Sequence, residues 1–300
     1  MFRDLDHILV GTDFSAASAP AFAIARRLAA AHGARVTLMH VIEDRPDAPG
    51  WTAPPVSQGE VLELLEEHAA RELDDATAAG ADDVAIAVAS GIPHEALTRF
   101  ALDEDADLII VGRVGVTPLE RMLLGSTAER LIRHAAVDVL VATGATGPWS
   151  RVLAPVDFSD HSNRAADLAA GIAADEGAVL DVLHINEFSS VADVPTSAAI
   201  SERFQASMVE QSATDLKRVC DRLRAADPAP DHVVQHVRSG PAAAEILEHA
   251  RDTEAELIVA ATLGRTGLQR LLVGSTVERI ARETPCALLA LATSPHPDDA

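Results

Sequence analysis

Leu108-Ile109-Ile110-Val111-Gly112-Arg113-Val114-Gly115, a nine-residue spacer and then Gly125-Ser126-Thr127 decide how this chain folds. The run from Leu108 to Val111 has no polar alternation, which predicts a parallel strand buried on both faces. A strand that ends in Gly-x-x-Gly leaves backbone amides with little steric cover at the carboxyl edge of a sheet. Gly-Ser-Thr then predicts a helix start, with Ser126 as the cap and Glu129 completing a capping box. Two amide clusters, one at a helix N-terminus, make a cradle suited to phosphate oxygens. Turn-making glycines and a capping serine are the plainer reading of one copy alone.

A second copy follows. Leu257-Ile258-Val259-Ala260 leads to Ala261-Thr262-Leu263-Gly264, nine residues and Gly274-Ser275-Thr276. Gly264 and Gly274 lie 149 residues after Gly115 and Gly125, so the chain is a tandem duplication. Earlier landmarks repeat too: Asp13-Phe14-Ser15 recurs 144 residues on as Asp157-Phe158-Ser159. The five extra residues fall between the second and third strands of the second half, where insertion costs little. With 300 residues and 48 % hydrophobic content, each half can bury its own core. The expected domains are 1–146 and 147–300.

Strands are predicted at Asp6–Gly11, Val36–Val41, Val84–Ala89, Leu108–Val111 and Val137–Val141. In the second half they fall at Arg151–Val156, Val179–Ile185, Val233–Val237, Leu257–Ala260 and Ala287–Leu291. Helical stretches alternate with them, among them one from Leu62 to near Gly80. The predicted fold is therefore α/β, with two doubly wound five-stranded parallel sheets. Glu43 to Gly59 reads as a loop, Thr143–Pro148 as the linker and Ser294–Ala300 as a polar tail. Ligands of such sheets bind beyond the strand ends where strand order reverses, and that places Thr12 and Asp13 beside the glycines after strand four.

Composition excludes some partners. A net charge of −22 and a single lysine, Lys217, oppose binding to nucleic acid or anionic membranes. Aromatic residues make up 3 %, leaving few platforms for base stacking. Cys220 and Cys286 lack metal-ligand spacing and read as reduced core residues. No signal-peptide pattern or membrane-length apolar run is present, so a cytoplasmic location is expected.

Taken together, Gly112, Gly115, Gly125 and Ser126, the paired Asp-Phe-Ser segments, and His40-Val41 with His184-Ile185 resemble the nucleotide-binding universal stress proteins in tandem form. The resemblance covers both halves nearly end to end. It implies that Asp13 and Asp157 accept a hydrogen bond from adenine or ribose, and that Val41 and Ile185 touch adenine. It further implies that the glycine amides with Ser126, Thr127, Ser275 and Thr276 hold the phosphates of ATP, ADP or AMP, with Mg2+ or Mn2+. The residues alone leave helix capping open for the two aspartates and core packing open for Val41 and Ile185. His40 and His184 read as buried, satisfied histidines. Ala261 replaces the first glycine in the second half, where a methyl would crowd the phosphates or bar a positive φ, while Gly264 and Arg265 keep the more usual family text. By the same resemblance Arg265 would reach a phosphate. The expectation is two sites of unequal affinity, the first one intact.

No Gly-x-x-x-x-Gly-Lys-Ser/Thr loop or nucleophile constellation is present, so an enzyme is not expected. The readings left open are an ATP-binding stress-response or signalling protein, a dimerisation scaffold of the same fold without nucleotide, and a weak ATPase. The resemblance also implies fifth strands that pair across a dimer axis; Val137–Val141 and Ala287–Leu291 would pair within one chain as a pseudo-dimer, and association of two such chains into a homodimer stays open.

Overall fold

The computed structural model describes residues 5–43, 57, 59–64, 67, 84–113, 124–187, 198–262 and 275–292. The expected loop after Glu43, most of the Leu62–Gly80 helix and the tail lie outside these residues, as do Gly115, Gly264, Arg265 and Gly274. The chain forms two compact units. Unit 1 is Met1–Gly147 with Ala281–Glu283 and Ala287–Ala300, and unit 2 is Pro148–Ile280 with Thr284–Cys286.

Unit 1 runs β1 (His7–Thr12), α1 (Ala19–His32), β2 (Arg35–Glu43), β3 (Val84–Gly91), α2 (Pro93–Asp103), β4 (Leu108–Gly112), α3 (Ser126–His134) and β5 (Asp138–Ala142). The strand order is β3-β2-β1-β4-β5. These strands are parallel, with Val10 opposite both Leu38 and Ile110. Every residue of β1 is buried, and so are Leu108 to Val111 of β4. A strand covered on both faces has no use for polar alternation, and that is why these read as continuous apolar runs. The sheet builds outward from β1 through β2 to β3, then returns to β4 on the other side of β1. The strand order reverses between β1 and β4.

Unit 2 repeats the order with β6 (Arg151–Pro155), α4 (Asp160–Glu176), β7 (Val179–Asn186), α5 (Ala198–Arg224), β8 (His232–Ser239), α6 (Ala242–Asp252) and β9 (Leu257–Ala261). Its strand order is β9-β6-β7-β8, again parallel. α7 (Ser275–Glu283) and β10 (Ala287–Leu291) close the second repeat. β10 groups with unit 1, where it runs antiparallel to β5 with Leu289 opposite Leu140. The sequence repeat and the compact unit differ at this strand. Its residues are all buried, and the pairing covers the apolar edge that β5 would otherwise present. Cys220 and Cys286 are buried thiols outside any disulfide. Among the described residues no helix is long and apolar enough to cross a membrane.

Candidate functional site

The carboxyl ends of β1, β2 and β4 and the start of α3 enclose a cleft of about 600 Å³ in unit 1. Its floor and walls include Thr12, Asp13, Val41, Gly112, Gly125, Ser126 and Thr127. Seven of the residues singled out from sequence thus converge on one opening, though they come from four elements spread over 116 positions of chain.

The loop after β1 is held by its own side chains. The Asp13 carboxylate accepts the Ser15 amide at 3.0 Å, and the Thr12 hydroxyl accepts the Phe14 amide at 3.1 Å. Ser18 donates its hydroxyl to the Ser15 carbonyl at 2.8 Å, so the Thr12 hydroxyl donates to Ser18 across 3.1 Å. Phe14 takes φ 60°, a left-handed conformation that costs a bulky residue on the order of 1 kcal/mol or more. Its ring lies 4.8 Å from that of His40, which donates Nδ1–H to the Thr12 carbonyl at 2.8 Å. A carbonyl only accepts, so this bond requires the proton on His40 Nδ1.

Unit 2 repeats the arrangement. Phe158 has φ 65° and stacks on His184 at 4.3 Å, and His184 Nδ1 bonds the Val156 carbonyl at 2.8 Å. Asp157 accepts the Ser159 amide at 3.0 Å and its hydroxyl at 2.5 Å. Neither aspartate caps a helix. In unit 2 the cap of α4 is Ser159, whose side chain accepts the Ser162 amide. The two histidines are satisfied at Nδ1, as expected; His184 is buried and His40 only half-buried, because it lines the cleft.

The start of α3 differs from expectation. Gly125, not Ser126, is the cap; it enters the helix at φ −63°, ψ 144° and offers no side-chain bond. Ser126 already has helical geometry, so its hydroxyl cannot fold back as a cap. The Glu129 amide goes to the Gly125 carbonyl at 2.9 Å, and its carboxylate to Arg282 at 2.6 Å. The capping box is therefore absent. An uncapped N-terminus leaves first-turn amides for an incoming anion.

Gly112 has a structural reason of its own. A Cβ there would stand 2.3 Å from the Ala17 carbonyl oxygen and 2.9 Å from Ser18 Cα. The glycine lets the β1–α1 loop lie against the end of β4. Its counterpart Ala261 ends β9 half-buried and outside the left-handed region, so the methyl meets no conformational bar. Thr276 lies in the first turn of α7, and Ser275 begins that helix. Ile185 lies in β7 and pairs with Arg238 of β8.

Sequence reading passed over Arg113 and Glu43. Both line the cleft, and the Arg113 guanidinium donates to the Arg282 carbonyl. A cation between the two glycines of the motif was the available signal for Arg113.

Comparison with known proteins agrees with the geometry. The sequence pattern of the universal stress protein family matches residues 5–143 and again 148–291. A universal stress protein of Mycolicibacterium smegmatis is 31 % identical over 294 residues, covering 95 % of this chain and 96 % of that protein. One from Mycobacterium tuberculosis H37Rv is 30 % identical over 288 residues, 92 % of each. A crystal structure of a universal stress protein from Archaeoglobus fulgidus superposes with a TM-score of 0.66 at 18 % identity, covering 96 % of this chain and 99 % of that one. That likeness is one of fold.

Proposed function

The chain belongs to the universal stress protein family, and from that premise we propose that the unit 1 cleft binds an adenine nucleotide, ATP in the first instance. The observation that carries this reading is the uncapped start of α3 facing the carboxyl ends of β1 and β4. The N-terminal amides of α3 and its partial positive charge suit phosphate oxygens. Val41, Met39 and Leu97 offer an apolar wall for the base, and Asp13, which is exposed, keeps acceptor capacity for a ribose hydroxyl or an adenine amine. A cleft near 600 Å³ is of the size that encloses a small ligand. Mg2+ or Mn2+ would accompany the phosphates and offset their charge in this acidic protein.

Nucleotide state then acts on shape or partners rather than through turnover. Backbone amides bind a phosphate in ground and transition states alike, and uniform binding gives little rate enhancement. We read the protein as a nucleotide-responsive stress protein and not an enzyme, working in the cytoplasm, where ATP is abundant and its two thiols stay reduced. The β5–β10 ladder supports pairing of the fifth strands of the two repeats within one chain.

The test is release of nucleotide from denatured protein, quantified by chromatography, followed by ATP titration of Gly125→Asp. An aspartate at this position caps α3 and preserves the helix, but sets a carboxylate where phosphate belongs. One to two ATP per chain are expected, with affinity for the unit 1 site falling at least tenfold in the variant. Absence of nucleotide, with no binding on adding ATP and Mg2+, favours the scaffold. Equal affinities of the two sites, read from Gly125 and Gly274 variants, would remove the expected asymmetry.

A further inference from the structure

Unit 2 holds a second polar cluster, remote in sequence from either glycine motif. Asp181 of β7, His236 of β8 and His249 of α6 present one carboxylate oxygen and two ring nitrogens, all within 4.8 Å of one another. The Asp181 side chain is fully buried. One of its oxygens accepts Arg151 at 2.8 Å, and the other lies 3.0 Å from His236 Nε2. The His236 and His249 rings are 4.4 Å apart. His249 is 94 % buried, and its Nε2 has no hydrogen-bond partner.

From these contacts we propose that Asp181, His236 and His249 form a binding site for a divalent transition-metal ion of the Zn2+ class. Two imidazoles and one carboxylate are a mixed nitrogen and oxygen donor set that suits Zn2+, Co2+ or Ni2+ and not the oxygen-seeking Mg2+ or Ca2+. Three protein ligands leave a fourth position for water, and His236, 29 % exposed, opens the site to solvent. A buried ring nitrogen without a partner is unfavourable; a cation between the three groups would satisfy it.

The surrounding charges fit. The Arg151 guanidinium at 2.8 Å, which is independent of the two histidines, favours the anionic form of the buried Asp181 carboxyl. Arg151 then serves as the outer partner that orients the ligating carboxylate. Arg238 is the nearby cation on β8, and its guanidinium is taken up by Glu245 at 3.1 Å, Asp252 at 3.4 Å and Glu248 at 3.7 Å. The site is peculiar to the second repeat. At the matching register the first repeat has Thr37, Ala87 and Phe100, with His7 in place of Arg151, and His7 bonds Thr37 at 2.8 Å. Three ligand-type side chains replace an alcohol, a methyl and a phenyl ring at positions that meet only in the folded unit.

The experiment is Zn2+ binding to the full-length, tag-free chain after chelator treatment, read by calorimetry and by metal content after gel filtration. His236→Gln and His249→Gln are compared with His232→Gln, an exposed residue at the start of the same strand. One equivalent of Zn2+ per chain is expected, with a rise in melting temperature. Each ligand variant should weaken binding at least tenfold, and His232→Gln should leave it unchanged. His236 is half-exposed, so its variant carries the test even where His249→Gln fails to fold. No stoichiometric uptake, or uptake unchanged in His236→Gln, would overturn the site and leave the cluster as a hydrogen-bonded or water-bridged tie between β7, β8 and α6.

Discussion

Gly112 shows how one atom separates the two repeats. Its missing Cβ makes room for Ala17, and no flexible side chain stands in the way to yield; the clash would be with backbone. Gly112→Ala is expected to destabilise unit 1 by about 1–3 kcal/mol, as overpacked sites do. Urea denaturation would show this as a lower midpoint with an unchanged slope. A second residue-scale prediction concerns His7. It donates Nδ1–H to the Glu104 carbonyl at 3.0 Å, so Nε2 accepts the Thr37 hydroxyl. Burial lowers its pKa below 6.5, against the pull of that carbonyl. The unfolded chain therefore takes up a proton first as pH falls. This contribution to stability is complete above about pH 6.5 and is lost as pH drops toward the folded value. NMR titration should place the His7 midpoint below 6.5; a midpoint above it would contradict the assignment.

Helix ends differ in kind, and the difference sorts structure from function. α1 and α4 both stop at a glycine in the left-handed region, Gly33 at φ 75° and Gly177 at φ 66°, each returning its amide to the last turn. α4 starts on a working cap, Ser159. α3 starts on a bare glycine at the mouth of the cleft. Ser159→Ala is expected to cost about 1 kcal/mol of stability. Ser126→Ala should leave the melting temperature within a degree or two and weaken ATP instead. Thermal melts of both variants with and without ATP separate the two roles.

At the scale of the molecule, an acidic chain carries two unlike copies of one fold. A net charge of −22 repels nucleic acid over the surface as a whole, while on the proposed reading the cleft would draw affinity for a phosphate from local amides and a helix terminus. The duplication, the strand–helix alternation and seven of the cleft residues were legible in the sequence. The duplication and the alternation rest on periodicity and on the spacing of glycines, which are properties of neighbours along the chain, whereas Val41 and the ligand roles of Asp13 and Thr127 came from the family resemblance. The exchanged role of Ser126 and Gly125 was not legible, because a shift of one residue in a helix start depends on how the preceding loop enters it. The pairing of β10 with β5 was expected from the family resemblance and not from local pattern, since an apolar strand pairs with whichever edge the folded chain presents. The cluster of Asp181, His236 and His249 lay hidden for a like reason: its members are 55 and 13 residues apart and meet through strand register and one helix face. Local pattern therefore determined the fold, and with the family resemblance it pointed to the residues that line the first cleft. Tertiary contacts, which no spacing encodes, decided the helix cap and the histidine cluster.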